Sequence, residues 1–600
     1  MKGANGMKLA IAALTMICLL CSGLWITGCG DDDDDDNNDN AMPDDDAADD
    51  DADDDVDDDL DDDTEVYEGT HLLPGPNEEG YDALLEDKAD QYDRQNLLFN
   101  CAGNGINSDV GISLANEADR QLVEDFLQTT DSWDFEDFSG GRTPLDVVTA
   151  HQKVAGLYGG VGIAADAFRY GVYRDQGYPQ EDVDRAKEIL LRSIEGLFVA
   201  AEITGAPGVI ARGFCRIDVP GPCAGQPTTP LFDEFGDPLP PEKDNGTWRE
   251  DNSDDNRFAN YKWEDSCSRD QFVGWITAIG AIWEVIRDDP EFEEAAKDKI
   301  QLLAEQIGRS LMVERTGGTG SFGRAFDLEI FDADGRTTYH GFLNENALDR
   351  EYLAWLPIKN GFNVMMSLGI VATLAYVSED PVLEDYFYNE LIGERHFADI
   401  VYKQVIGVNL HYQTNYSSSN MAYAGALLAL RYITDLEARD KVAYATGRHM
   451  YFNNPPLLSR QPVDYSYSLY DFIYATAVSG ESAYNEMTGP PDADAVARGV
   501  QTLLDFAQPP YWQVEFINCD ASEMESGDCT LNDGSHCTYL GEIGRNGTPL
   551  CEEPVPQAVR PPSNYHWRSC PYKPNGDAGG DGMNPGVDFR IAYWYGRWVK

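Results

Sequence analysis

The stretch Asn360-Gly-Phe-Asn-Val-Met-Met-Ser-Leu-Gly-Ile-Val-Ala-Thr-Leu-Ala-Tyr-Val-Ser378 carries no charge in 19 positions. By length alone such a run could cross a bilayer. Asn360, Asn363 and Ser367, with the breaks at Gly361, Gly369 and Thr373 and flanking helices of ordinary polarity, argue instead for a helix buried inside protein. The following segment, 381–403, has helical periodicity with a charged face. An apolar helix backed by an amphipathic one makes a two-layered pair.

The same pairing recurs outward in both directions. Residues 143–173 precede 180–204, which opens on Pro179, Glu181 and Asp182 as a first-turn signature. Residues 268–288, with Phe272, Trp275, Ile276, Ile279, Ile282, Trp283 and Ile286 on a 3-4 rhythm, precede 291–313. Then come 418–433 with 436–451 and 465–478 with 492–507. A weaker pair at 81–98 and 114–128 brings the expected number to six.

Six apolar inner helices alternating with amphipathic outer ones resemble the six-hairpin, (α/α)6-toroid superfamily of bacterial glycosidases, polysaccharide lyases and sugar epimerases. The closing run Pro585-Gly-Val-Asp-Phe-Arg-Ile-Ala-Tyr-Trp-Tyr-Gly-Arg597 resembles the aromatic ending of secreted toroid proteins. Asp588, Tyr593, Trp594 and Arg597 are expected to lock the last helix onto the ring. The expected fold is therefore all-α, an (α/α)6 toroid over residues 80–600 with long loops. The resemblance implies a carbohydrate-active enzyme whose cleft lies where the inner helices begin.

Residues before those helices are accordingly the candidates. The phrase 244–272 holds Trp248, Arg249, Asp251, Trp263, Asp265, Arg269, Asp270 and Gln271. Trp faces stack on pyranose rings, while Asp, Arg and Gln bond hydroxyls. Glycoside hydrolysis needs two carboxyls, assigned here to Asp265 and Asp270, with Asp251 and Glu250 in reserve. Asp265 and Ser268 also suit helix capping. A second cluster, His411, Tyr412 and Asn415, suits β-elimination on a uronate, with His or Tyr abstracting the C5 proton. Tyr465 and Tyr467 open a further helix, and His340, His566 and Trp567 lie on loops that could line the same mouth. Hydrolysis by the Asp pair is the leading expectation; the alternatives are a polysaccharide lyase and a non-catalytic glycan-binding or surface structural lipoprotein. No cofactor is expected: the mature chain has no CxxC or HExxH spacing, and Asp332-Ala-Asp334-Gly335 reads as a turn.

The N-terminus reads as an address. Lys2 and Lys8 precede a short apolar run ending in Ile26-Thr27-Gly28-Cys29, which resembles a bacterial lipobox. Residues 1–28 would be a lipoprotein signal and Cys29 the acylated N-terminus, anchoring the chain, expected to be a monomer, in the outer membrane. Residues 29–66 would be a disordered tether, with 22 Asp between positions 31 and 63. The formal charge is −64, from 43 Lys+Arg against 107 Asp+Glu, which argues against a nucleic-acid partner. Taking away the tether's 22 charges and the two leader lysines still leaves about −44 on the body. Nine cysteines remain beyond Cys29, and in an oxidising space Cys215/Cys223, Cys519/Cys529 and Cys537/Cys551 are near enough to pair.

Overall fold

The structure is a computed structural model. It describes residues 70–113, 116–315, 325–346, 359–405, 416–452, 461–483, 490–513, 516–542, 549–561, 570–576 and 582–600. The expected lipobox, Cys29 and the tether lie outside the described residues, as do His411, Tyr412, Asn415, His566 and Trp567. The chain divides into Met1–Asn38 and Asp39–Lys600, and every described residue belongs to the second unit.

Its principal helices are α1 (Ala83–Arg94), α2 (Glu117–Thr129), α3 (Gly156–Asp175), α4 (Gln180–Glu202), α5 (Arg269–Ile286), α6 (Glu294–Leu311), α7 (Gly361–Ser378), α8 (Phe397–Lys403), α9 (Tyr416–Tyr432), α10 (Leu436–Ala445), α11 (Ser468–Ala477), α12 (Ala493–Asp505) and α13 (Val587–Trp598). Side-chain caps start several of them. Asp82, Asn360, Asp435 and Asp492 each accept from a backbone amide of the first turn, satisfying donors the helix cannot. The uncharged stretch is α7, and it is buried along almost its whole length. The expected helix 381–403 is broken: Pro381–Asp385 widens into π-turns over Tyr386–Glu394, and His396, at φ 56°, separates these from α8.

The apolar helices α3, α5, α7, α9, α11 and α13 pack each against the next, and α13 returns to α3. Residue pairs along the α3/α5, α5/α7, α7/α9 and α13/α3 joints rise in number together, so these neighbours run parallel. Arg269 of α5 bonds Asn363 of α7, and further along Gly280 meets Thr373. Tyr423 stacks on Tyr470 between α9 and α11. On α13, Arg590 bonds Asp166 of α3, and beyond it Trp598 lies against Gly171. Glycines permit the closest joints. A Cβ on Gly160 would lie 2.1 Å from the Gly274 carbonyl oxygen, and one on Gly369 would lie 2.2 Å from that of Gly425. Five outer elements follow their inner helices in sequence. The sixth pair does not come from 81–98 with 114–128 as expected: α1 packs on α13, so the first and last of these helices meet.

The all-α expectation is corrected. Small antiparallel sheets punctuate the helices, and the class is mixed. Loops that enter and leave parallel helices must turn through wide angles, and paired strands satisfy their backbone groups. One sheet, ordered β1-β2-β4-β3, joins Val154–Ala155 (β1), Gly213–Arg216 (β2), Tyr261–Glu264 (β4) and Trp248–Arg249 (β3). Segment 143–155, expected as helix, is largely turn and strand for this reason. A three-stranded sheet, Asp528–Thr530, His536–Glu542 and Pro549–Cys551, is stapled by Cys519–Cys529 and Cys537–Cys551. Cys215–Cys223 closes the third expected disulfide. Cys101, Cys267 and Cys570 stand outside these disulfides, and burial pushes the Cys101 thiol up to about 12.

Two outcomes follow for stability. Gly160→Ala and Gly369→Ala force helix backbones apart and should each lower the unfolding free energy by about 1–3 kcal/mol or more in urea titrations, whereas Gly225→Ala, with nothing within 4 Å of its Cβ, leaves the midpoint unchanged. Asp471 of α11 is buried, and that burial lifts its carboxyl from the ordinary 3.8 to about 7. The folded chain then holds a proton that the unfolded chain releases between those values. Stability contributed by this group should therefore fall as pH rises from about 4 through 7, and Asp471→Asn should flatten that part of the pH–Tm curve.

Candidate functional site

Strand β1 leads into α3 and β4 leads, through Asp265–Ser268, into α5. Their shared sheet therefore sets the N-termini of two inner helices side by side. The pairing Trp248↔Glu264↔Gly213 places a tryptophan and a carboxylate at that edge. Ser266, at φ 61°, makes the sharp bend into α5.

Asp265 does not lie open to a substrate. It is fully buried; one carboxylate oxygen accepts from Thr247 N at 2.8 Å, and the other from Arg249 Nε at 3.0 Å, Arg249 Nη2 at 2.5 Å and Lys243 Nζ at 3.0 Å. Lys243 also reaches Asp332 at 2.6 Å. Burial and the neighbouring Asp265 carboxylate push Asp332 above the usual carboxylate range. Arg249 spends its other donors on the carbonyls of Thr229, Pro230 and Leu239, so Asp265 and Arg249, expected to meet substrate, are here bonded to each other and to the 229–249 loop inside the protein.

Asp270 stands in the first turn of α5, as expected. Its oxygens accept from the Ser268 hydroxyl and from Gln271 Nε2 at 2.9 Å. Gln271 in turn accepts from Leu157 N at 2.8 Å, tying α5 to α3. Ser268 accepts from Arg212 Nη1 at 2.7 Å, and Arg212 Nε lies 3.9 Å from Glu264. Lys153 Nζ donates to Glu264 at 2.6 Å and sits 6.0 Å from the ring of half-buried Trp248. Trp248, Lys153, Glu264, Arg212, Ser268, Asp270 and Gln271 thus form one polar cluster at the mouth of the α3/α5 joint. Lys153 escaped notice because periodicity placed the start of its helix a dozen residues too early. Arg212 lies on a segment with no helical neighbour to mark it.

Other expected ligands have partners within the protein. Trp263 is wholly buried and its indole donates to the Glu250 carbonyl at 2.8 Å, so no ring face meets solvent. Arg269 is buried and holds Asn363 at 2.9 Å. Asp251 staples a turn through the amides of Ser253 and Phe258. Tyr465 and Tyr467 are buried among Tyr416, Tyr470 and Tyr572, with Arg560 over the Tyr467 ring at 5.5 Å. They pack the α9/α11 mouth as core and leave no platform for a sugar. His340, half-buried on Thr337–Phe342, lies edge-on to Tyr339.

Asp265→Asn leaves Arg249 and Lys243 short of a buried counter-charge and should cost about 3–5 kcal/mol, read as a large fall in Tm. Asp270→Asn keeps an acceptor facing Ser268 and should shift Tm far less.

No protein-family model matches the chain, and neither does any curated protein or solved structure.

Proposed function

We propose that the chain is an exported, lipid-anchored glycoside hydrolase on a six-hairpin toroid. The toroid reading is supported by the closed cycle of six parallel inner helices backed by outer elements. The three disulfides support export, since such bonds persist in oxidising compartments. The observation that carries the catalytic reading is the cluster at the shared N-terminal end, where Glu264 pairs across the sheet with half-exposed Trp248 and Asp270 joins it through Ser268 and Arg212, both carboxylates lying largely buried.

Glycoside cleavage requires two carboxyls. Glu264, beside Lys153 and Arg212, is assigned the carboxylate that activates water or attacks the anomeric carbon. Asp270, held by the Ser268 hydroxyl and the Gln271 amide, is assigned the second carboxyl, which serves the leaving oxygen. Trp248 offers an apolar face to a ring, while Ser268 and Gln271 hold Asp270 in its rotamer. Asp265 is replaced in this scheme by Glu264.

The full chain in detergent would be screened on neutral and acidic glycans. New reducing ends without ultraviolet-absorbing product support hydrolysis. An unsaturated uronate product would move the chemistry to His411 and Tyr412 and overturn the assignment, and binding without turnover would leave only a glycan receptor. On the substrate found, Asp270→Asn should lower kcat by about a hundredfold or more. Cys29→Ser should abolish incorporation of labelled palmitate while leaving turnover intact.

A further inference from the structure

The segment Leu231-Phe-Asp-Glu-Phe-Gly-Asp-Pro-Leu239 folds back on itself beside the mouth. Phe232 bridges to Pro238, and Leu239 N donates to the Leu231 carbonyl at 2.9 Å. Asp233 closes the turn by accepting from the amides of Phe235 at 2.8 Å and Asp237 at 2.9 Å. Gly236, at φ 86°, supplies the reversal. Phe235 is 82% exposed and Phe232 43%. Single apolar side chains scattered over a surface need no explanation, but here two phenyl rings stand in solvent on one tight hairpin.

A second observation concerns how the hairpin is mounted. Arg249 donates to the carbonyls of Thr229 at 3.0 Å and Pro230 at 2.6 Å on one leg and of Leu239 at 2.6 Å on the other, so both legs hang on one buried guanidinium, itself fixed by Asp265. Beyond the second leg, Arg336 holds the Pro241 carbonyl at 3.2 Å and Lys243 pairs with Asp265 and Asp332. Burying an arginine–aspartate pair carries a desolvation cost, and what it secures here is one fixed placement for a loop whose tip buries nothing. An apolar tip held still is preorganised for a ligand. Thr229 N donates to the Trp248 carbonyl at 2.9 Å, so the first leg begins beside that tryptophan. Phe235 follows six residues later, at most about 20 Å along the extended backbone.

We infer that this hairpin is an outlying subsite for a neutral oligosaccharide that runs from Trp248 to Phe232 and Phe235, an inference that rests on the glycan reading above. Phenyl and indole faces meet the apolar faces of pyranose rings, and Glu234 and Asp237, exposed at the turn, offer acceptors to hydroxyls. A disaccharide is too short to touch both ends, whereas a longer chain reaches. The same carboxylates repel an acidic glycan. They also argue against a lipid bilayer, the other medium that exposed phenyl rings could enter, because the tip would carry its charged neighbours with it at a cost.

The test is calorimetric titration of the full chain in detergent with cello-, malto-, xylo- and manno-oligosaccharides, each as the disaccharide and the hexasaccharide. At least one hexasaccharide should bind about tenfold or more tighter than its disaccharide. The double variant Phe232→Ala/Phe235→Ala should remove that difference without moving Tm, because both rings stand in solvent, while Leu84→Ala, at a side chain 77% exposed elsewhere, should preserve it. Equal affinity for short and long chains, a length effect that survives the double variant, or no hexasaccharide binding at all would each overturn the inference. Turnover in the glycan screen separates this failure from that of the hydrolase reading: with turnover present only the subsite falls, and without it both do. Sedimentation of the Cys29→Ser chain with phosphatidylcholine vesicles, lost in the double variant, would identify the tip as a membrane element and likewise overturn the inference.

Discussion

Arg590 closes the structure. Its Nε donates to Asp93 at 2.5 Å and its Nη2 to Asp166 at 2.7 Å, with all three side chains buried. Arg169 adds a second cation beside Asp93, Trp594 donates its indole to the same carboxylate at 3.0 Å, and Ser193 donates to Asp166 at 2.6 Å. Two guanidiniums thus face two carboxylates in a dry setting where any one of them alone would be very costly. The knot joins α1, α3, α4 and α13. Asp93 and Arg590 are 497 positions apart, so this joint can form only when the whole chain is available, whereas the other inner helices each pack beside a neighbour that is also next in sequence. Closure entropy grows slowly with loop length, but non-local pairing slows folding, and the knot is the specific interaction that selects the closed form.

Closure has an electrostatic consequence. Six parallel helices direct six N-termini, each with partial positive charge, toward one end. Outer helices running the other way offset part of the field. First-turn acids Asp270, Asp471 and Asp588 sit where the remainder favours them. Asp471 shows the limit of that effect: burial lifts its carboxyl to about 7 although the helix terminus, the Tyr451 hydroxyl and Arg498 all favour its charge. Desolvation outweighs dipole and neighbours together at that position.

Inner helices were legible in the sequence because burial on all sides leaves an unbroken apolar signature, as in α7, and the three disulfides because their loops are short. The sixth pair was not, since periodicity speaks only of near neighbours and α1 finds its partner at the opposite end of the chain. The same limit explains the site. Asp270 was readable from its place in a first turn, a local property. Asp265 shared that local grammar, but its fate is set by Lys243 and Arg249 from a loop folded back over it, and no spacing encodes that. Trp263 and Trp248 look alike in sequence; strand alternation in β3 and β4 buries one and leaves the other at the edge.

Pairing of the basic groups also bears on which glycan the proposed mouth would take. Lys153 is held by Glu264, Lys243 by three carboxylates, Arg249 by Asp265, and Arg212 leans on Ser268 and Glu264. A polyuronate would have to break one of these pairs to gain a counter-ion, and it would do so against a body carrying about −44. A neutral sugar faces neither cost: its hydroxyls can bond the carboxylates as they stand, and its apolar face can meet Trp248. Under the proposed reading, the charge pairing at this mouth therefore favours neutral glycans over acidic ones.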